Sequence, residues 1–152
     1  MSRSVWFREY RLAEILPFCR GNMVEHLGIQ LTEIGEDYLV GTMPVDHRTT
    51  QPAGLLHGGA SVALAESLGS FAANLCVDPA RWACVGQEVS ASHLRPARRG
   101  LVTGTARPVH LGRSYQVWEI NVVDDRLRKV CAVRLSVAVV AAGYGGGKGR
   151  FF

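Results

Sequence analysis

Hydrophobic and polar residues along this chain follow two rhythms, and the change from one to the other predicts its architecture. Segments 83–94, 100–111, 114–123 and 129–140 are rich in β-branched residues with partial alternation, and Trp118, Ile120 and Val122 mark one face of the third. YLVGTMPV (38–45) reads as a further strand, and the turn signals RPARRG, LGR and DDRLRK separate the later ones. Between the first strand and the other four, the run after HisGlyGly changes to a helical period. At about 100° per residue, Leu64, Leu68, Phe71 and Leu75 fall within roughly 60° of one another. That stripe is expected to face the sheet. Residues 9–27 also have helix-like spacing, interrupted by Pro17, which predicts one short helix or two pieces. The expected order is strand, long helix, then four strands, an α+β layout with one antiparallel sheet and the helix against one face.

The other side of the long helix is unusual. Gly59, Glu66, Ser70 and Ala73 lie there, with Ala63 at the margin, where an ordinary amphipathic helix carries Lys, Glu and Gln facing water. Small residues around one carboxylate let another backbone approach closely, so a second copy of the chain is expected to cover this face. Glu66 is then a candidate base or nucleophile. Gly58 and Gly59 begin the helix, where unpaired N–H groups and the helix dipole favour a developing negative oxygen. His57 has two readings, a participant in chemistry or a loop histidine satisfying the helix N-terminus. On spacing alone, Gln51 before Pro52 is a loop residue.

Composition narrows the class. The 152 residues are 47% hydrophobic, enough for one domain with a core, expected over 1–141, followed by a Gly-rich, flexible tail over 142–152. No run of 18 apolar residues is present, and the N-terminus lacks the order of a signal peptide, so a cytoplasmic protein is expected. Cys19, Cys76, Cys84 and Cys131 form no C-x-x-C pair and read as buried free thiols rather than a metal site. A net charge of +4 is compatible with an anionic partner. Lys148 does not complete a phosphate-binding loop, since Ala142 and Gly149 stand where Gly and Ser or Thr are required.

Taken together, GNMVEHLGI, TMPVDHRTTQPAGLLHGGASVALAESLGS, HLRPARRG and HLGRSYQVWEI resemble the hotdog-fold acyl-CoA thioesterases, in particular the Arthrobacter-type 4-hydroxybenzoyl-CoA thioesterase branch. The resemblance covers about residues 21–140. It implies a long central helix wrapped by an antiparallel sheet, and hydrolysis of acyl-CoA thioesters with aromatic acyl groups favoured. It also implies Gly58 as the N–H donor to the thioester carbonyl and Glu66 as nucleophile or general base. Gln51 and His57 would orient the thioester or the lytic water, and Ser70 would position water or a ring substituent. His93, Arg95, Arg98 and Arg113 would contact the coenzyme A nucleotide. By the same resemblance, no metal or organic cofactor is required, and the partner is another copy of the chain, in a homodimer with shared active sites that pairs into a homotetramer. Neither a nucleic acid nor a membrane is expected as partner. Two alternatives remain at this stage: an acyl-thioester hydratase or dehydratase of the same fold, and a non-catalytic acyl-CoA-binding module.

Overall fold

The computed structural model describes residues 4–146. After two short helices, α1 (Leu12–Ile15) and α2 (Met23–His26), with a 3-10 turn at Leu16–Cys19 between them, come strands β1 (Gln30–Ile34) and β2 (Leu39–Pro44). The long helix α3 (Gly58–Leu75) follows, then β3 (Trp82–His93), β4 (Leu101–Leu111), β5 (Tyr115–Val123) and β6 (Lys129–Ala141). All pairings are antiparallel, and the six strands lie in the order β1-β2-β4-β5-β6-β3.

One strand more is present than the hydrophobic pattern predicts. β1 is five residues long, and only Leu31 in it is buried. A register shift between Leu31 and Glu33 breaks the alternation that would have marked it. Its pairing with β2, closed by the Gly35 N–H donating to the Tyr38 carbonyl at 2.8 Å, makes it a strand. The interruption at Pro17 appears as expected, with Pro17 inside the 3-10 turn that separates the two helical pieces.

The predicted stripe of α3 is the heart of the core. Leu64, Leu68, Phe71 and Leu75 are all buried, as are Trp118, Ile120 and Val122 on the inner face of β5. Leu68 shows how closely helix and sheet approach. Gly41 and Gly104 are cross-strand partners, and a Cβ on either would lie 2.7 Å from a Leu68 methyl. Truncating such a side chain costs about 2–5 kcal/mol.

On the opposite side the expectation needs one correction. Ala73 is fully buried within the chain, against β3, where Cys84 Sγ donates to its carbonyl at 3.4 Å. Gly59 remains exposed, and Ala63, Glu66 and Ser70 remain half-buried. The sheet edge beside them is also bare: among the described residues β3 pairs with β6 on one side and with no strand on the other. All four cysteines are free. Among the described residues no helix is long and apolar enough to cross a membrane. Of the tail expected over 142–152, residues 142–146 form a turn ending in a short 3-10 segment, and 147–152 lie outside the described residues.

Candidate active site

The start of α3 is organised around His57. It is the N-cap, extended at φ −67° and ψ 131°, and its Nδ1 accepts the Gly59 N–H at 2.8 Å. Its carbonyl accepts the N–H groups of Ala60 and Ser61 at 2.9 and 3.2 Å. The Ser61 bond is the first regular turn of the helix; the Gly59 and Ala60 bonds, with the His57 N–H donating to the Thr49 carbonyl at 2.8 Å, dispose of three of the four N–H groups that a helix leaves unpaired at its start. The fourth, on Gly58, has no acceptor among the described residues. A single free amide at the positive end of an 18-residue helix is the donor an oxyanion needs. The bond to Nδ1 also sets the tautomer, leaving the proton of a neutral His57 ring on Nε2.

Gly58 opens onto a cavity of about 340 Å3 lined by Gln51, Leu55, Leu56, Ser61, His93 and their neighbours. The loop that carries Gln51 is tied down at both ends. Leu56 N–H donates to the Ala97 carbonyl and His57 N–H to the Thr49 carbonyl, each at 2.8 Å. Gln51 Oε1 accepts the Ala53 N–H, which leaves its amide NH2 as the group free to meet a ligand. His93, at the end of β3, sits so close that a Cβ on Gly58 would lie 2.8 Å from its Nε2. A glycine there leaves the His93 ring in place and the amide reachable from the cavity.

The carboxylate of Glu66 lies elsewhere. A Cβ on Gly86 would be 3.0 Å from Glu66 Oε1, so the side chain rests against the backbone of β3 beside its register shift. It is half-buried and has no hydrogen bond or ion pair among the described residues. Ser70 is one turn further along the same face, half-buried, with its carbonyl accepting from Asn74 Nδ2 at 2.9 Å. Eight residues of helix separate Gly58 from Glu66, about 12 Å of rise and about 80° of rotation.

The sequence-derived residues thus divide into groups. Gly58, Gln51 and His93 meet in one cavity, with His57 organising its floor, while Glu66 and Ser70 stand apart from it on the open helix face. His93, expected at the nucleotide, lies against Gly58. Arg95 lines both this cavity and a neighbouring hollow of similar volume, where Arg98 is joined by Arg99, Arg126 and Arg128. Arg113 is in neither, but in a different cavity at the far end of α3.

Two sets of residues escaped the sequence reading. Ser61 is only 2% exposed and lines the cavity, and its hydroxyl has no partner among the described residues. It lies one helical turn from Gly58, and that spacing was the available signal. The second set is Arg126 and Arg128, held by Asp124. Burial alone would raise the Asp124 carboxyl. The N–H and guanidinium of Arg128 and the N–H of Arg126 outweigh it and hold Asp124 below the usual carboxylate range. Among the described residues no three His, Cys, Asp or Glu side chains gather as a metal-binding group.

Comparison with known proteins fits this layout. Residues 53–131 match the thioesterase superfamily, a span that includes α3 and His93. The chain is 48% identical over 136 residues to the 1,4-dihydroxy-2-naphthoyl-CoA hydrolase of Escherichia coli, covering 90% of this chain and 99% of that protein. It is 50% identical over 136 residues to the proofreading thioesterase EntH of Cronobacter turicensis, covering 90% and 98% respectively. A crystal structure of a thioesterase from Haemophilus influenzae superposes with a TM-score of 0.89 at 43% identity, covering 94% of this chain and 99% of that one. The helix wrapped by an antiparallel sheet is therefore the hotdog fold, and the chain belongs to the thioesterase superfamily, whose members hydrolyse thioesters.

Proposed function

We propose that this protein hydrolyses aromatic acyl thioesters of coenzyme A, at active centres that each combine residues of two copies of the chain. The observation that carries the reading is the separation of Gly58 from Glu66. A group that attacks a carbonyl, or activates the water that does, must work within about 3–3.5 Å of it, and about 12 Å of helix is too far. A second copy laid along the half-buried face of α3 and the bare edge of β3 would bring its own Glu66 to the first copy's Gly58. Continuation of this pairing to a homotetramer is part of the same proposal.

In such a centre the Gly58 N–H donates to the thioester oxygen, and the Gln51 amide and the His57 ring orient the group and the water. Glu66 of the second copy removes a proton from water as it adds to the carbonyl carbon, or adds there itself to give an anhydride that water then cleaves. Collapse of the tetrahedral adduct breaks the C–S bond, and the thiolate leaves to take up a proton. A thioester carbonyl is electrophilic enough that one oxyanion donor and one carboxylate suffice, so the chemistry asks for no metal or organic cofactor. Ser70 of the second copy would meet a substituent on the acyl ring. The arginine-rich hollow that shares Arg95 with the Gly58 cavity suits the phosphates of coenzyme A, with Arg95 and Arg98 as contacts. The naphthoyl-CoA hydrolase relative favours an aromatic acyl group, and the reaction that supplies such a substrate would be an aromatic acyl-CoA synthesis of the kind used to build quinones.

Mixing inactive variants tests the shared centre. Glu66→Ala should lower turnover by about two to four powers of ten, and the pair Gln51→Ala/His57→Ala should do likewise. Refolded together in equal amounts, the two should recover about a quarter of wild-type activity, since about half of the dimers are mixed and each of those has one intact centre. Heterodimers, shown by mass, that are no more active than their parents would overturn the two-copy reading. Thiol release from benzoyl, naphthoyl and aliphatic CoA esters tests the acyl class, and faster turnover of the aliphatic esters would overturn that part.

A further inference from the structure

The Gly58 amide is not alone at the mouth of its cavity. A Cβ on Gly58 would lie 2.8 Å from His93 Nε2, and both residues line the same space. Two covalent bonds of about 1.5 Å lead from that Cβ position to the amide nitrogen, so Nε2 is no more than about 5.8 Å from it. That is twice an ordinary N–H···O length of about 2.9 Å, and one oxygen can therefore lie within hydrogen-bond distance of both nitrogens. Neither nitrogen has a partner among the described residues.

The ring is held from behind. His93 ends β3 opposite Cys131 of β6, and the N–H groups of Leu94 and Arg95 both donate to the Val130 carbonyl, at 2.8 and 3.3 Å, which fixes the chain just beyond it. Cross-strand partners share a face, and Cys131 Sγ stands 3.5 Å from His93 Nδ1. Cys131 is fully buried, and burial raises its thiol, so the sulfur keeps its proton. Donation of that S–H to the basic Nδ1 puts the proton of a neutral His93 ring on Nε2, facing Gly58.

We propose that the His93 Nε2–H is a second oxyanion donor at the thioester carbonyl, acting with the Gly58 N–H, and that Cys131 is the positioning residue that sets its tautomer. This role rests on the hydrolase reading of the Gly58 centre and names a further group in it. As the nucleophile adds to the carbonyl carbon, the C=O electron pair moves onto the oxygen, which accepts from both donors. The pair returns as the C–S bond breaks and the thiolate leaves. His93 is exposed in the single chain; a second copy laid over α3 would exclude water from this mouth and strengthen both bonds.

Benzoyl thioesters of coenzyme A and of N-acetylcysteamine test the donor, because the second carries no nucleotide. His93→Ala should lower kcat about 10²–10³-fold on both, with KM changed by less than about three-fold. His93→Gln, whose amide keeps an N–H at similar reach, should recover about ten-fold of that loss. His93 is exposed at a strand end, so both variants should keep the wild-type circular dichroism. A loss confined to the coenzyme A ester, or carried by KM, would make His93 a nucleotide contact and overturn the proposal, as would a wild-type kcat in His93→Ala. A wild-type protein inactive on both esters would overturn the hydrolase reading itself.

The tautomer is read separately, from long-range proton–nitrogen spectra at about pH 8, above the ordinary histidine range. The His93 ring, identified by the signal lost in His93→Gln, should carry its proton on Nε2. Cys131→Ala should let the Nδ1–H form appear and lower kcat at unchanged KM. A wild-type ring protonated on Nδ1 would overturn the donor, and a Cys131→Ala ring still wholly in the Nε2–H form would overturn the part assigned to Cys131.

Discussion

His57 accepts the Gly59 N–H through Nδ1 at 2.8 Å, and this bond links the stability of α3 to the availability of the Gly58 amide. With Gly59 occupied by the ring and Ala60 and Ser61 by the His57 carbonyl, one N–H is left at the helix start for a substrate oxygen.

Removing that cap should therefore have two separable effects. His57→Ala is expected to cost about 1 kcal/mol, read as a fall in Tm of about 2–4 °C. His57→Asn, which can still cap, should recover the Tm but not the activity, because it lacks the Nε2–H. An Asn variant with full thiol-release activity would reduce His57 to a cap alone.

A methyl at Gly58 should damage function far more than folding. The clash with His93 Nε2 at 2.8 Å is relieved by rotating a side chain, about 0.5–1.5 kcal/mol. The same rotation intrudes on the oxyanion site, where misplacing a donor costs about 10²–10³ in turnover. Gly58→Ala should thus stay folded by circular dichroism yet lose that much kcat. In a His93→Ala background the further loss of stability should vanish.

Asp46 gives a pH dependence with a definite sign. The Arg48 guanidinium, then the Arg48 backbone N–H, hold its carboxyl at about 2, below the ordinary 3.8. A carboxyl depressed in the folded state stabilises it fully above the unfolded value and loses that contribution as pH falls through the folded one. The turn leading to Gln51 should hold above about pH 4 and loosen towards pH 2, seen as increased hydrogen exchange at Thr49 and Thr50, whose N–H groups bond the Asp46 carbonyl at 3.0 Å. Asp46→Asn should show no such step.

The cysteines should be inert in the native state. Burial pushes the Cys76 and Cys84 thiols up to about 12 and also raises Cys19 and Cys131. Since the thiolate is the reactive form, iodoacetamide at about pH 8 should leave the intact mass unchanged until denaturant is added. Cys76 is only half-buried, so the test rests on the other three: alkylation of Cys84 in the folded protein would contradict the burial that the structure shows.

What could be read from the chain alone was whatever depends on local period. The α3 stripe of Leu64, Leu68, Phe71 and Leu75 and the alternation of Trp118, Ile120 and Val122 record which side of each element is dry, and the spacing from His57 to Glu66 is a property of a helix. β1 was not legible, because one buried residue in five leaves no rhythm and its pairing with β2 is a tertiary fact. Charge carries no address either: Arg95, Arg98 and Arg113 look alike in turns, yet folding puts the first two beside the Gly58 cavity and the third at the other end of α3. Ala73, set by helical angle on the open face, is buried because β3 crosses there and Cys84 meets its carbonyl. Only the folded chain brings His93 onto Gly58 across 35 residues of sequence while holding Glu66, eight residues from Gly58, out of its reach. The sheet returns distant segments to one place, and a helix carries its near neighbours apart at about 1.5 Å per residue.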